Sequence, residues 1–449
     1  MKYNTYKIYT LGCKVNQYDS VDLRKKLECI GFGFVTKNAD WAIINTCAVT
    51  KNAIRKDRQM ISKARNENPE AKIVLFGCFP KAYKDEVREL GVDYIFGVRE
   101  GEKIVKLLSS LVILERPKGV IESRDPIGHF IPSRMTMSRS RYFLKIQDGC
   151  EQFCTYCIIP YTRGKLTSRE ERDVLREVEE VIKSGVKEIV LTGIHLGLYG
   201  QDNSKLTSVI LNKAECNEES QQGLQNVINR NPSLSLRMTS LNKLIKKILK
   251  NKDLKRLRLS SIEISEVSDE LVKSIKNNSR ICNHLHIPLQ SGSEKILKSM
   301  NRPYDKKYFQ KRIEEIKKQI PDIAISTDVI VGFPGEGDNE FKETYDFIKT
   351  NKFSKLHVFP YSVHEKTPAF KFPEKVKENV KISRAKKIRE LGNKLEKEYQ
   401  KKFTNKNIEV LIENIKNGIA RGKSEYYIDY MLDDSGFEIG DIVKFKVKK

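Results

Sequence analysis

The sequence predicts an α/β protein in three successive parts: an N-terminal open parallel sheet of βαβ units, a central (β/α)6 partial barrel, and a small C-terminal antiparallel β-barrel. Three observations carry this. The 449 residues, at ~150 per domain, make about three domains. Short apolar runs alternate with polar, helix-like stretches as far as Tyr361. Beyond about Lys375 the pattern changes to one charged helix followed by short β-like runs. An apolar fraction of 39% supplies several cores and excludes a disordered chain, collagen and a small disulfide scaffold.

The first part, 1–116, pairs strands at Lys7–Leu11, Trp41–Asn45 and Ile73–Phe76 with helices at Ser20–Ile30, Asn52–Asn66 and Tyr83–Leu90. This rhythm builds a parallel sheet whose ligands sit beyond the carboxyl ends of the strands. Residues 117–135, rich in Pro, Arg and Ser, read as a linker. The second part, 136–374, opens on a strand at Phe143–Gln147. Ser168 and Glu171 form a capping box that starts a helix running to about Ser184. Five further strands follow, Glu188–Thr192, Arg256–Ile262, His284–Leu289, Ala324–Val331 and Leu356–Tyr361; six βα units at this spacing suggest a parallel barrel with its chemistry on the βα loops. A polar stretch at about 202–238 is too long for a βα loop and reads as an insertion. The third part, 375–449, has its helix through Gln400 and β-like runs at Ile408–Ile412, Tyr426–Met431 and Ile442–Val447.

Lys and Arg number 83 against 59 Asp and Glu, a net +24, which points to a polyanion such as nucleic acid. Excess charge is concentrated at the ends: residues 1–120 hold 22 basic and 14 acidic, and 371–449 hold 20 and 13. A generally Lys-rich proteome is the blander source of the same excess. The longest apolar run, Ile104–Leu114, is broken by Lys106 and falls short of the ~18 residues that span a bilayer; the first thirty residues lack a continuous apolar signal segment. A cytoplasmic chain without a membrane partner is expected.

Nine cysteines in such a chain suggest metal ligation more than disulfides. Cys13, Cys47 and Cys78 each follow a strand, 34 and 31 positions apart, so successive strand ends deliver three thiols to one rim of the sheet. Cys150, Cys154 and Cys157 form a C-x3-C-x2-C loop directly after the first barrel strand. Three thiolates so spaced hold three irons of a 4Fe-4S cube and leave the fourth open. Zinc is the alternative, but a structural zinc wants four ligands and no fourth Cys or His lies nearby in sequence.

That loop, at the head of a six-unit parallel barrel, resembles the radical S-adenosylmethionine enzymes. The resemblance implies that the open iron binds S-adenosylmethionine and that electron transfer into its sulfonium releases methionine and a 5′-deoxyadenosyl radical. With the motifs Leu-Gly-Cys13-Lys-Val-Asn-Gln-Tyr, Asn-Thr-Cys47-Ala-Val-Thr, Phe-Gly-Cys78, Leu-His-Ile-Pro-Leu-Gln290-Ser-Gly-Ser and Thr-Asp328-Val-Ile-Val-Gly-Phe-Pro-Gly-Glu336, nearly the whole chain is similar to the methylthiotransferases. The family implies a second 4Fe-4S cluster on Cys13, Cys47 and Cys78 that carries the inserted sulfur, two molecules of S-adenosylmethionine, and a reductant such as flavodoxin or ferredoxin. The C-terminal part is similar to a TRAM domain, which implies a grip on tRNA phosphates, with base stacking through Tyr426 and Tyr427.

Lys14-Val15-Asn16-Gln17 and His357-Val-Phe-Pro-Tyr-Ser resemble the branch acting on N6-threonylcarbamoyladenosine beside the anticodon. Rival acceptors are isopentenyladenosine and a ribosomal-protein aspartate, and a rival of another class is a non-catalytic iron-sulfur RNA binder. Tyr156 resembles the family position whose backbone meets the adenine of the cofactor. Strand ends Gly193, Gln290 and Asp328 are candidates to line its pocket. Cys29, Cys216 and Cys282 lack partners at ligand spacing and read as incidental thiols, and His284, His286 and His357 as packed or hydrogen-bonded side chains. The helix at Lys375–Gln400 reads as a solvated face on which Lys386, Lys387 and Arg389 are candidates to touch phosphate.

Overall fold

The computed structural model of the protein describes residues 4–114, 140–202, 232–433 and 436–448. The expected linker at 117–135, most of the insertion at about 202–238 and Cys216 lie outside the described residues. Two compact units divide the chain: Met1–Ser138 with Cys150–Gly164 and Ser362–Phe372, and Arg139–Gly149 with Lys165–Tyr361 and Pro373–Lys449.

The first unit is built on strands β1 (Thr5–Thr10), β2 (Gly33–Phe34), β3 (Trp41–Thr46), β4 (Lys72–Gly77) and β5 (Tyr94–Ile95). All pairs are parallel, in the order β2-β1-β3-β4-β5. Every residue of β3 is buried, as a central strand covered on both faces requires. Helices α1 (Lys14–Cys29), α2 (Lys51–Glu67), α3 (Cys78–Ala82), α4 (Lys84–Arg88) and α5 (Gly101–Leu114) accompany the sheet. Because side chains alternate along a strand, Ile44 and Leu75 pack with Ile61 and Phe79 on one face, while Ile43 and Val74 pack with Leu23, Leu27 and Leu108 on the other. This strand order reverses between β1 and β3, and the crevice beyond their carboxyl ends is where such sheets bind ligands.

The second unit has six parallel strands: β6 (Arg141–Lys145), β9 (Glu188–Thr192), β10 (Arg256–Leu259), β11 (His284–His286), β12 (Ala324–Val331) and β13 (Lys355–Pro360). They form two three-stranded ladders joined by the single bridges Leu257–Ile281 and Ser261–His286. No ladder joins β6 to β13 among the described residues, so the barrel is partial, as expected. The expected capping box does not form. Ser168 belongs to a short strand, β8 (Thr167–Ser168), paired with β7 (Gln147–Asp148), and its hydroxyl accepts from the Gly200 amide at 2.8 Å. The ladder holds its side chain away from helix α7 (Glu171–Lys183), whose N-cap is Glu170.

The C-terminal sheet, β14 (Asn407–Lys416), β15 (Ile419–Ser424), β16 (Asp429–Asp433) and β17 (Ile442–Lys446), is antiparallel in the order β16-β15-β14-β17. No ladder joins β16 to β17 among the described residues, so the expected small antiparallel barrel takes the form of a half-barrel sheet. Strand β15 went unexpected because its inward residues are Ala420, Gly422 and Ser424, too small to leave an apolar signature. A Cβ at Gly422 would stand 2.1 Å from the Leu411 carbonyl oxygen, so the close approach of β14 demands glycine. The run Tyr426–Met431 is not one strand: Tyr427, at φ 63°, turns the chain before β16.

The two tyrosines expected to stack on bases each have a ring partner within the chain. Tyr426 packs on Phe403 at 4.3 Å, and Tyr427 stacks on His284 at 4.6 Å with Arg258 5.2 Å from its ring. Both tyrosines are half-buried. Beneath them Glu188 and Arg258 are fully buried. Arg258 donates to Glu188 Oε1 at 2.8 Å and to the carbonyls of Ser424 and Glu425 at 3.0 and 3.1 Å, which fastens the C-terminal sheet to the barrel. The helix Glu378–Lys401 is more than a solvated face: Lys381, Arg384, Ala385, Ile388, Leu391, Leu395 and Tyr399 recur at helical spacing and are buried. Lys386, Lys387 and Arg389 stay exposed.

Candidate metal centre

Each N-terminal cysteine is placed by the end of a parallel strand. Cys13 is the N-cap of α1, Cys47 follows β3, and Cys78 is the first residue of α3, directly after β4. Two glycines make the convergence possible. Gly12 has φ +99°, and a Cβ there would lie 2.9 Å from Cys47 Cβ; Gly77 has φ +110°, and a Cβ there would lie 2.6 Å from the Thr46 carbonyl oxygen. Neither position accepts an L side chain without strain.

Asn16 and Asn45 tie the strand ends together. Asn16 is buried and donates to the carbonyls of Leu11 and Thr46 at 2.9 and 2.8 Å, while its Oδ1 accepts from the Cys13 thiol at 3.6 Å. Asn45 donates to the Asn16 carbonyl at 2.8 Å. The Cys47 amide donates to both oxygens of buried Asp57 at 3.2 and 3.1 Å. Burial pushes the Asp57 carboxyl up to about 8, with the Cys47 amide opposing.

The thiols sense one another. Burial pushes Cys47 up to about 12, and the charges of Cys78 and Cys13 add to the rise. Burial pushes Cys78 up to about 11, opposed first by the charge of Arg163. Thiols Cys47 and Cys78, so placed, hold their protons when bare, and binding a metal ion would deprotonate them.

The second trio belongs to the same compact unit. Its loop leaves the barrel at Gly149, φ 76°, and is closed by the Cys150 amide donating to the Gly164 carbonyl at 3.1 Å. Phe153 takes φ 50°, and the Cys157 amide donates to the Cys154 carbonyl at 2.9 Å, so the loop curls back on itself. Ile158 anchors its far end in the core beside Phe79, and α6 (Ile159–Arg163) continues from there. Tyr156 lies half-buried in the turn between Cys154 and Cys157.

No three of the described His, Cys, Asp and Glu side chains form a group suited to one metal ion. With thiols as the only soft donors at each place and positive charge close by, the residues fit two iron-sulfur clusters. Cys29 is exposed at the end of α1, and Cys282 is buried and pushed up to about 12 by desolvation; neither joins a trio.

The remaining candidates lie in the second unit, and not all are at strand ends: Gly193 directly follows β9 and Gln290 lies beyond β11, but Asp328 is inside β12, which runs on to Val331. Gly193 follows β9, where a Cβ would stand 2.8 Å from Gln147 Oε1, itself the acceptor of the His195 amide at 2.7 Å. Gln290, at φ 65°, bridges to Val329. Asp328 lies 3.2 Å from His286 Nε2, and His286 Nδ1 lies 2.9 Å from Ser326 Oγ. His284 also meets Ser326 Oγ at 2.9 Å and His357 packs edge-on to His286 at 5.4 Å, so all three histidines are engaged, as expected. Past β12 the Gly332 amide donates to buried Glu336 at 2.7 Å, and Arg384 clasps the same carboxylate at 2.9 Å.

Sequence reasoning missed Asn16, Asp57 and Arg163 as supports of the thiols. Asn16, one helical turn after Cys13, left a local signal; Asp57 and Arg163 left none, because only the fold carries them to the cysteines.

Comparison with known proteins agrees with this layout. A family model described as the radical SAM superfamily matches residues 144–348, and one described as uncharacterized protein family UPF0004 matches 5–97. The chain is 35% identical to "Threonylcarbamoyladenosine tRNA methylthiotransferase MtaB" of Bacillus subtilis, over 99% of this chain and 94% of that protein. It is 34% identical to the protein of the same name from Thermotoga maritima, over 99% and 94%. Identity is 32% to "tRNA-2-methylthio-N(6)-dimethylallyladenosine synthase" of Thermoanaerobacter pseudethanolicus, over 98% and 90%. Among solved structures, the radical S-adenosylmethionine methyltransferase TsrM from Kitasatospora setae superposes with a TM-score of 0.53 at 12% identity, covering 82% of this chain and 77% of that one, a likeness of fold alone.

Proposed function

The chain belongs to the MtaB-type radical S-adenosylmethionine methylthiotransferases, and from that membership we propose that it converts N6-threonylcarbamoyladenosine beside the tRNA anticodon to its 2-methylthio derivative. The observation that carries this reading is the gathering of both cysteine trios in one compact unit of a chain that matches such enzymes over nearly its full length.

In this reading Cys150, Cys154 and Cys157 hold the cluster that binds S-adenosylmethionine, and Cys13, Cys47 and Cys78 hold the sulfur-carrying one. Together with S-adenosylmethionine the clusters supply radical and sulfur-transfer chemistry at a ring C–H that no side-chain base deprotonates. The protein positions and excludes water. Tyr156 and, in the second unit, Gly193, Gln290 and Asp328 are the candidates to contact the cofactor; Asp328, oriented by His286, offers acceptor oxygens to hydroxyl or ammonium groups. Exposed Lys386, Lys387 and Arg389 meet tRNA phosphates. A flavodoxin- or ferredoxin-class donor supplies electrons, and tRNA as substrate places the reaction in the cytoplasm. Among the described residues no helix is long and apolar enough to cross a membrane.

Nucleoside mass spectrometry of tRNA from a deletion strain tests the acceptor. Loss of the 2-methylthio-threonylcarbamoyl species is expected. The 32% identity to dimethylallyladenosine synthases favours a second reading, isopentenyladenosine, and its methylthio product would be the one lost in that case. Anaerobically reconstituted protein given dithionite and S-adenosylmethionine should yield 5′-deoxyadenosine, and Cys154→Ala should abolish it; no yield from well-loaded wild type would favour a non-catalytic RNA binder.

A further inference from the structure

Arg163 ends α6, six residues after the last cysteine of the loop, and is 2% exposed. Its guanidinium donates to Asn16 Oδ1 at 2.5 Å and to Asp19 Oδ2 at 3.2 Å, both on α1. It also hydrogen-bonds the Cys78 thiol, as does Thr162. One cation therefore reaches Cys78 directly and Cys13 through Asn16, which accepts from that thiol. It does so from the very segment that carries Cys150, Cys154 and Cys157.

An arginine stays charged even when buried. Filling this space with an apolar side chain would avoid the cost of desolvating a guanidinium, so packing alone does not account for it. Asp19, whose side chain is 9% exposed, faces the same guanidinium as an anion. A positive charge beside an iron-sulfur cluster favours its more negative, reduced state and raises its potential.

We infer that Arg163 is a positioning residue for the cluster of the N-terminal trio: it holds Cys78 and Asn16 in place and sets that cluster's potential, with Asp19 as its counterweight. The inference rests on the reading that Cys13, Cys47 and Cys78 hold a cluster, and it adds a residue lying far from all three in sequence.

The test is an EPR-monitored redox titration of the full-length, anaerobically loaded chain with the three loop cysteines replaced by alanine, so that one cluster signal remains. Arg163→Gln should move the potential in the negative direction and Asp19→Asn in the positive direction, while Arg163→Lys should stay near the parent. With the loop cysteines intact, Arg163→Gln should lower methylthiolated nucleoside formation about 10- to 100-fold, with partial recovery in Arg163→Lys. Opposite shifts from two neighbouring substitutions are a signature that general loosening of the fold does not produce. An unmoved potential in both, or shifts of the same sign, would overturn the inference. If Arg163→Gln fails to take up iron, Asp19→Asn and Arg163→Lys decide alone. A parent that loads no iron refutes the two-cluster reading itself, an outcome distinct from a loaded cluster whose potential ignores Arg163.

Discussion

Replacing Glu188 should be among the most damaging single changes outside the cysteines. Its carboxylate is wholly buried, 2.8 Å from Arg258 Nε, 3.7 Å from Arg256 and 4.0 Å from Arg141. Arg258 is equally buried and spends its other donors on the Ser424 and Glu425 carbonyls. Glu188→Ala leaves that guanidinium without its anion, and breaking a buried pair from one side costs about 3–5 kcal/mol. At about 2–4 °C per kcal/mol for a domain of this size class, the melting midpoint should fall by on the order of 10 °C. Burial alone would raise the Glu188 carboxyl, but Arg258, Arg141 and Arg256 outweigh it and hold the group below the ordinary carboxylate value. A depressed carboxyl contributes stability above its unfolded pKa and loses it as the pH falls through the folded one. The gap between wild type and Glu188→Gln should therefore be full near neutrality and shrink below about pH 4.3. Circular-dichroism melts across pH, with amide exchange on peptides covering Ile419–Ile428, measure both effects. A cost below about 1 kcal/mol, or a gap that does not change with pH, would refute the assignment of the lock to this charge cluster.

Three further outcomes follow from the geometry. Alanine at all of Cys13, Cys47 and Cys78, or at all of Cys150, Cys154 and Cys157, should leave about half the wild-type iron and sulfide, since each cube is expected to rest on its own three thiolates; loss of all iron from either variant would contradict separate sites. Gly12→Ala forces a positive φ on alanine, about 1–3 kcal/mol, and drives its Cβ into Asn16 and Cys47, so iron uptake by the N-terminal trio should fall while the C-x3-C-x2-C loop still loads. Lys317 is lowered to about 8 by burial, with help from the charges of Lys402 and Lys352. The folded state then binds fewer protons than the unfolded one between about pH 8 and 10.5, stability rises across that window, and Lys317→Met should remove the rise in melts recorded over it.

Much of this protein was legible in one dimension. The βα rhythm announced two parallel sheets because strand and helix periods are local properties of the chain. The C-x3-C-x2-C loop could be singled out because its three cysteines are sequence neighbours. Cys13, Cys47 and Cys78 could be grouped because a parallel sheet returns each strand end to the same rim. Pattern reading failed where side chains carried no apolar signature or had two plausible partners. Strand β15 hides behind Ala420, Gly422 and Ser424, and Ser168 joined a ladder instead of capping a helix. Nothing in the sequence showed that Tyr426 packs on Phe403 and Tyr427 on His284, since those partners are far away along the chain. Only the tertiary structure decided that Arg163 reaches Cys78, that Asp57 sits under Cys47 and that Arg258 binds the backbone at Ser424. Periodicity reports which face of an element is buried, whereas hydrogen bonds and buried charges depend on distances of a few ångströms between segments that the linear order leaves far apart.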